Sequence, residues 1–165
     1  MTTRLKPREQ EYWHRYLRSV PTGLRPARPR VRAGTAGSHE ITDDLIALYL
    51  NGRKTAGSSL VADFTSSGDP LPEVGDFWIC LDSGGQPRCI LRTIRTELRS
   101  FSDVPVSVAL AEGEGDGSLA HWRRVHSEAY KPNLSKWGIR RIEDAAVITE
   151  FFTVVFQGPR RGEEE

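Results

Sequence analysis

The sequence predicts an α+β domain: a small, mostly antiparallel β-barrel flanked by helices. Three observations predict it. Residues 76–81 (DFWICL) and 88–98 (RCILRTIRTEL) are strand-like runs on either side of DSGGQP, a glycine-rich turn with Pro87 at its far edge, which is the pattern of a β-hairpin. Residues 144–156 (DAAVITEFFTVVF) are β-branched and aromatic, as a well-covered strand requires. Three other stretches carry apolar residues at helical spacing.

Taken in order, REQEYWHRYLRSV (residues 8–20) places Tyr12, Trp13, Tyr16, Leu17 and Val20 on one stripe of a short helix. PTGLRPARPRVRAGTAG (residues 21–37) has three Pro, three Gly and no apolar period, so it reads as a linker. In SHEITDDLIALYLNG, Thr42 is the expected N-cap, with Asp43 and Asp44 at the positive end of the helix dipole. Leu45, Leu48 and Tyr49 form the stripe and Gly52 is the stop. The hairpin brings Ile79 opposite Ile90, Cys80 opposite Cys89 and Leu81 opposite Arg88. Apolar groups on both of its faces suit strands covered on each side or curled into a barrel. FSDVPVSVALAEGEGDG reads as a loop or short strand ending in glycines. Ser118 then caps a helix, LAHWRRVHSEAYKPNL, that stops around Pro132. The organisation expected is an N-terminal helix over 1–20 packed on the domain, a linker over 21–37, the barrel over 38–157 and a tail over 158–165.

The totals fit one domain. The chain has 165 residues, 38% hydrophobic and 27% charged, enough for a packed core. No run of 18 apolar residues exists and MTTRLKPREQEYW lacks the apolar segment of a secretory leader, so the expectation is a cytoplasmic protein with no membrane partner. Cys80 and Cys89 are too few for a disulfide scaffold or a thiolate metal site. The net charge of +1 hides an asymmetry: residues 1–37 hold nine Lys or Arg against two Glu, a net +7, so the remainder carries −6. A basic arm of this kind suits a polyanionic partner.

There is no Walker loop, HExxH, GxSxG or CxxC. His121 and His126 are five apart, which turns them about 140° from each other on a helix. What remains is Lys54 beside Thr55, Ser58 and Ser59, together with the acidic segment that carries Glu112, Glu114 and Asp116. A carboxylate beside a lysine makes a pair whose proton affinities can be tuned for proton transfer.

The segments EYWHRYL, DDLIALYLNGRKTAGSSL, VGDFWICLDSGGQPRCILRTIRTEL and FSDVPVSVALAEGEGDGSLAHWRRVH together resemble the ASCH domain family from about Tyr12 to Phe156. The most specific pieces are Gly52 to Thr55, Gly75 to Trp78, and the A-x-x-E-G-E segment followed by D-x-S-L-x-x-W. The resemblance implies a PUA-like barrel associated with RNA. It implies first a ribonuclease cutting single-stranded RNA with the help of Mg²⁺ or Mn²⁺, and no organic cofactor. The alternatives are a module that only binds RNA or a nucleotide, and an amidohydrolase of the N4-acetylcytidine type. In either enzyme Lys54 would be catalytic with Glu112 or Glu114, Glu112 being preferred, and one of the two carboxylates could hold the metal. Tyr49, Arg53, Thr55, Ser58, Trp78 and Trp122 would contact the substrate, while Arg28 and Arg30 would grip its backbone. The amidohydrolase branch has a threonine three residues after its lysine; here that position is Gly57, which supplies neither nucleophile nor base.

Overall fold

The computed structural model describes residues 4–158. Five helices and five strands follow in the order α1 (Pro7–Ser19), β1 (Val31–Gly34), α2 (Thr42–Leu50), β2 (Ala56–Leu60), α3 (Val61–Ser67), β3 (Phe77–Leu81), β4 (Pro87–Ser100), α4 (Val106–Glu112), α5 (Leu119–Tyr130) and β5 (Ala146–Phe156), with short 3-10 turns between some of them. Most of the expected tail, from residue 159 onward, lies outside the described residues.

The strands form one sheet in the order β1-β3-β4-β5-β2. β3–β4, β4–β5 and β5–β2 are antiparallel, but β1 runs parallel to β3. This corrects the expected barrel. The sheet is mixed and open, because its outer strands β1 and β2 each pair on one side only. The parallel strand arises from residues 31–34, inside the stretch read as linker. Four residues are too few for an alternation signal, and backbone hydrogen bonds to β3 order them instead.

Local chemistry explains most of the boundaries. Pro7 opens α1, and the Glu9 carboxylate accepts from the Lys6 backbone N–H at 2.7 Å. Tyr12, Trp13 and Tyr16 of its buried stripe pack against Phe77, Ile79, Leu81 and Ile90 of the hairpin. Thr42 is the first residue of α2 rather than its cap; its hydroxyl donates back to the carbonyls of Ala36 and Ser38. Gly52, at φ +79°, follows that helix in the left-handed region, as a C-terminal stop does. The Ser118 hydroxyl caps α5 by accepting from the His121 N–H at 3.1 Å. In the hairpin Ile79 meets Ile90 and Cys80 meets Cys89 as the turn predicts. A register shift next to Leu81 then puts it opposite Pro87 instead of Arg88.

α4 replaces the loop or short strand expected for VSVALAE. Pro105 precedes it and Gly113, in the left-handed region, ends it. Its period is masked because nearly every residue is apolar, yet only Val108, Ala109 and Glu112 are buried. With Leu60, Phe101, Val104, Trp122 and Val147 the first two make one of three apolar clusters. A second surrounds α1, and a third joins Leu45, Ile46 and Tyr49 of α2 to Cys80, Cys89, Leu91 and Phe152 of the sheet. Among the described residues no helix is long and apolar enough to cross a membrane.

Gly113 fixes how α4 meets β2. Its φ is +64°, and a Cβ there would collide with the carbonyl of Arg53. Gly113→Ala should therefore lower stability by about 2 kcal/mol or more, from left-handed strain plus displacement of the Arg53–Lys54 backbone. Urea denaturation measures this, and an unchanged midpoint would contradict the close approach.

Candidate functional site

Lys54 lies between the end of α2 and the start of β2. Its backbone N–H donates to the Leu48 carbonyl, and the next N–H, of Thr55, donates to Ala111 in α4 at 2.7 Å. These two bonds send the Lys54 side chain inward beneath α4, where only 5% of it is exposed. The ammonium sits 2.8 Å from Glu114 Oε2, 3.5 Å from Glu112 Oε2 and 3.5 Å from the Glu112 carbonyl. A buried lysine is tolerable only with such pairing, because an isolated charge in the interior is strongly disfavoured.

Glu112 ends α4 and is 2% exposed. Trp122 Nε1 donates to its Oε1 at 2.8 Å, and His126 Nε2 lies 3.4 Å from its Oε2. Trp122 and His126 are four apart on α5, so they share a face, and their rings stack with centroids 4.1 Å apart. His126 Nδ1 lies 2.8 Å from the Trp122 carbonyl. A carbonyl only accepts, so Nδ1 carries a hydrogen, and Nε2 donates to the carboxylate only when the ring also holds its second proton. Burial pushes the Glu112 carboxyl toward protonation, but hydrogen bonding from His126, the Lys54 charge and the Ser58 hydroxyl outweigh it and bring its pKa down to about 2. Glu112 is thus a fixed anion and a weak base. Glu114, on a turn with Gly113, Gly115 and Gly117 all at positive φ, has 28% of its side chain exposed and is the carboxylate of the pair that solvent or substrate can reach.

These groups line a cleft of about 590 Å³, drawn from the β1–α2 connection, α2, β2, α3, α5 and β5. Tyr49, Trp78 and Phe152 give it an aromatic wall. Tyr49 stands edge-on to Trp78 (6.2 Å) and to Phe152 (5.4 Å). Ser58 shares a hydrogen bond with Thr149 at 2.8 Å, and the Tyr130 hydroxyl donates to the Ser58 carbonyl. Asp63, Glu112, Glu114 and Glu150 face Arg32 and Lys54 around the cleft, so its carboxylates outnumber its cations.

The fold therefore brings Lys54, Glu112 and Glu114 together, with Tyr49, Ser58 and Trp78 on the same cleft. Tyr49 is at once core and wall, 3% exposed, and burial holds its hydroxyl protonated. Trp122 is buried behind the carboxylate it bonds rather than on the cleft. Arg53 and Thr55 are exposed and outside the cleft; the Thr55 hydroxyl donates to Ala111. Arg28 is exposed, whereas Arg30 is engaged by Glu73 and Asp76. Thr149, Tyr130, Arg32 and Glu150 were not singled out by sequence reasoning, and His126 was weighed only as half of a metal pair with His121. The Trp122–His126 spacing of four was the one local signal available; the others are joined only by the sheet.

The donor set does not fit Mg²⁺ or Mn²⁺. These ions want several free oxygen ligands, but Glu112 is occupied by Trp122, His126 and Lys54, and Glu114 by Lys54. A divalent ion would have to displace an ammonium already at 2.8 Å. Among the described residues no three His, Cys, Asp or Glu side chains converge as a metal site elsewhere.

Comparison with known proteins gives a consistent result. The family model of the ASCH domain matches residues 32–156. The crystal structure of an ASCH domain from Lactobacillus crispatus JV V101 superposes with a TM-score of 0.85 at 27% identity, over 94% of this chain and 98% of that one. A protein of Enterococcus faecalis V583 superposes with a TM-score of 0.73 at 28% identity, over 88% and 86% of the respective chains. No curated protein sequence matches.

Two measurements probe the buried anion. A carboxyl with its pKa lowered from 4.5 to about 2 adds stability that is fully present above pH 4.5 and lost as pH falls towards 2, an increment of about 3 kcal/mol. The stability advantage of the wild type over Glu112→Gln should shrink by that order across this window in denaturation curves taken at successive pH values. Trp122→Phe keeps an aromatic ring but removes the N–H with the five-membered part of the indole, leaving one carboxylate oxygen short of a donor. It should cost about 1–3 kcal/mol at neutral pH, with a smaller loss at pH 2.5.

Proposed function

The chain belongs to the ASCH domain family, a generally RNA-associated family, and on that premise we propose that it is a metal-independent hydrolase. Its substrate would be an acylated amino group on the base of a single nucleoside unit, of the N4-acetylcytidine type. One observation carries this reading: a buried Lys54 ammonium, fixed between two carboxylates, opens on an aromatic-walled cleft with more carboxylates than cations. Such a cleft favours a neutral, flat ligand. A backbone phosphate would bring further negative charge against Asp63, Glu114 and Glu150, which is why the geometry supports phosphodiester cleavage less well than amide hydrolysis.

Each residue then has a role set by its environment. Glu112 anchors Lys54 and His126 from behind. Lys54 Nζ donates to the substrate carbonyl oxygen and stabilises the negative charge that develops on it as water attacks the carbon. Glu114 takes the proton from that water. Collapse of the tetrahedral intermediate breaks the C–N bond, the same proton passes to the leaving amine, and cytidine leaves with acetic acid, which gives its remaining proton to solvent as acetate. Ser58, next along β2, points to the other face of the sheet, where its hydroxyl bonds Thr149 and supports Glu112 rather than replacing a hydroxyl at position 57. A second reading, a module that binds a nucleotide without chemistry, is favoured by one feature. The better-buried carboxylate is held ionised far below neutrality, as an anchoring group would be.

Incubation with N4-acetylcytidine and chromatography for cytidine tests the proposal, beside Lys54→Met and Glu114→Gln. Wild type should release cytidine equally well in EDTA, and each variant should slow by about 100-fold or more. A labelled single-stranded RNA with Mg²⁺, Mn²⁺ or EDTA runs in parallel. RNA cleavage that needs metal, with no cytidine formed, would sink the amidohydrolase reading. No turnover of either substrate would leave the binding module.

A further inference from the structure

The cleft holds a second, partly exposed charge pair, apart from the Lys54 group, for which the proposed hydrolysis has no use. Glu150 lies on β5, where the flanking residues are Ile148, Thr149, Phe151 and Phe152. Its Oε1 accepts from Arg32 Nη2 at 2.8 Å and its Oε2 from the Thr93 hydroxyl at 3.0 Å. Arg32 also lies over the Trp78 ring, with its Cζ 5.2 Å from the centroid. Three strands thus meet at one carboxylate, β1 through Arg32, β4 through Thr93 and β5 through Glu150 itself, with Trp78 of β3 under the arginine. As a stabilising device this is weak. The Arg32 side chain is 45% exposed, and half-exposed ion pairs contribute little, so an apolar residue would serve a strand between Ile148 and Phe152 better.

The geometry points to a recognition role: we propose that Arg32 and Glu150 read the hydrogen-bonding edge of a cytosine-type base held in the cleft. This rests on the reading of the cleft as a nucleoside site. Each Glu150 oxygen has one protein partner here and can accept a second hydrogen bond, and Arg32 retains unused N–H donors. Acceptor and donors therefore stand side by side. The complementary edge has an N–H beside a ring acceptor, as the exocyclic amino group and N3 of cytosine do, and an N4-acylated cytosine keeps one such N–H. The register explains why the carboxylate is reachable. Glu150 pairs with Gly57 across β2 and β5, and position 57 has no side chain to cover it. A Cβ built there would meet nothing closer than Phe152 Cε1 at 3.7 Å, so the fold does not demand glycine. The space is left to the ligand. Trp78 and Phe152 line the same cleft and offer faces for the flat ring.

Binding titrations with cytidine and with N4,N4-dimethylcytidine, which lacks the N–H, test this. Wild type should prefer cytidine by about tenfold or more. Glu150→Ala should lose the preference, and Glu150→Gln, which keeps one acceptor oxygen, should restore part of it. Thermal melting checks that the variants are folded. If Glu150→Ala fails to fold, the wild-type preference and Glu150→Gln decide. A wild type that binds both nucleosides equally, or a folded Glu150→Ala with its preference intact, overturns the proposal. If wild type still hydrolyses N4-acetylcytidine in that case, only the base-reading role is lost. If it binds no nucleoside at all, the reading of the cleft falls with it.

Discussion

Everything around the cleft is organised by the Glu112 carboxylate. It is an anion at the end of a short helix, shut away from solvent, and the protein has built a complete set of donors around it. Trp122 and His126 come from α5, Lys54 from the approach to β2, and Ser58 from β2 itself. Buried charge is tolerated only when its partners are in place, so the carboxylate makes the position of three separate elements one joint requirement. The Lys54 ammonium is aimed by the same constraint. Its other partner, Glu114, is the carboxylate of the pair left partly exposed, while Glu112 bears the structural duty.

That division of labour also accounts for the electrostatic character of the cleft. A site meant to hold a polyanion would surround its lysine with further cations. Here the lysine is neutralised from both sides and the arginine on the same cleft, Arg32, is already matched by Glu150. The basic residues of the N-terminal stretch are elsewhere or engaged, Arg30 with Glu73 and Asp76. What the cleft offers is flat aromatic surface and directed hydrogen bonds, the means by which proteins recognise bases rather than backbones.

The hairpin was legible because turn chemistry and composition agreed over twenty residues, down to the meeting of Cys80 with Cys89. α5 was legible from its cap and its stop. α4 was not, since a run of apolar residues has no period to read. β1 was not, since four residues hydrogen-bonded to a partner more than forty positions away leave no local trace. At the site, elimination left Lys54, Glu112 and Glu114 as candidates, but only resemblance to a family joined them, because spacing alone cannot show that segments some sixty residues apart meet. His126 shows the limit differently. Its spacing was read only against His121, but the informative neighbour was Trp122, one helical turn back, whose indole and carbonyl both bear on the same imidazole.

The parallel strand β1 alters what counts as the domain. Residues 31–34 look dispensable in sequence, yet they cover the outer edge of β3, and the Arg30 carbonyl accepts from the Phe77 N–H. They also carry one wall of the cleft in Arg32. A piece starting at residue 38 would bare the backbone of β3 from Phe77 to Cys80, a ready template for pairing with another chain. It would also open the cleft on one side. The arginine-rich stretch is therefore not a tether leading to the domain: its last residues are the strand that finishes the sheet and encloses the cleft.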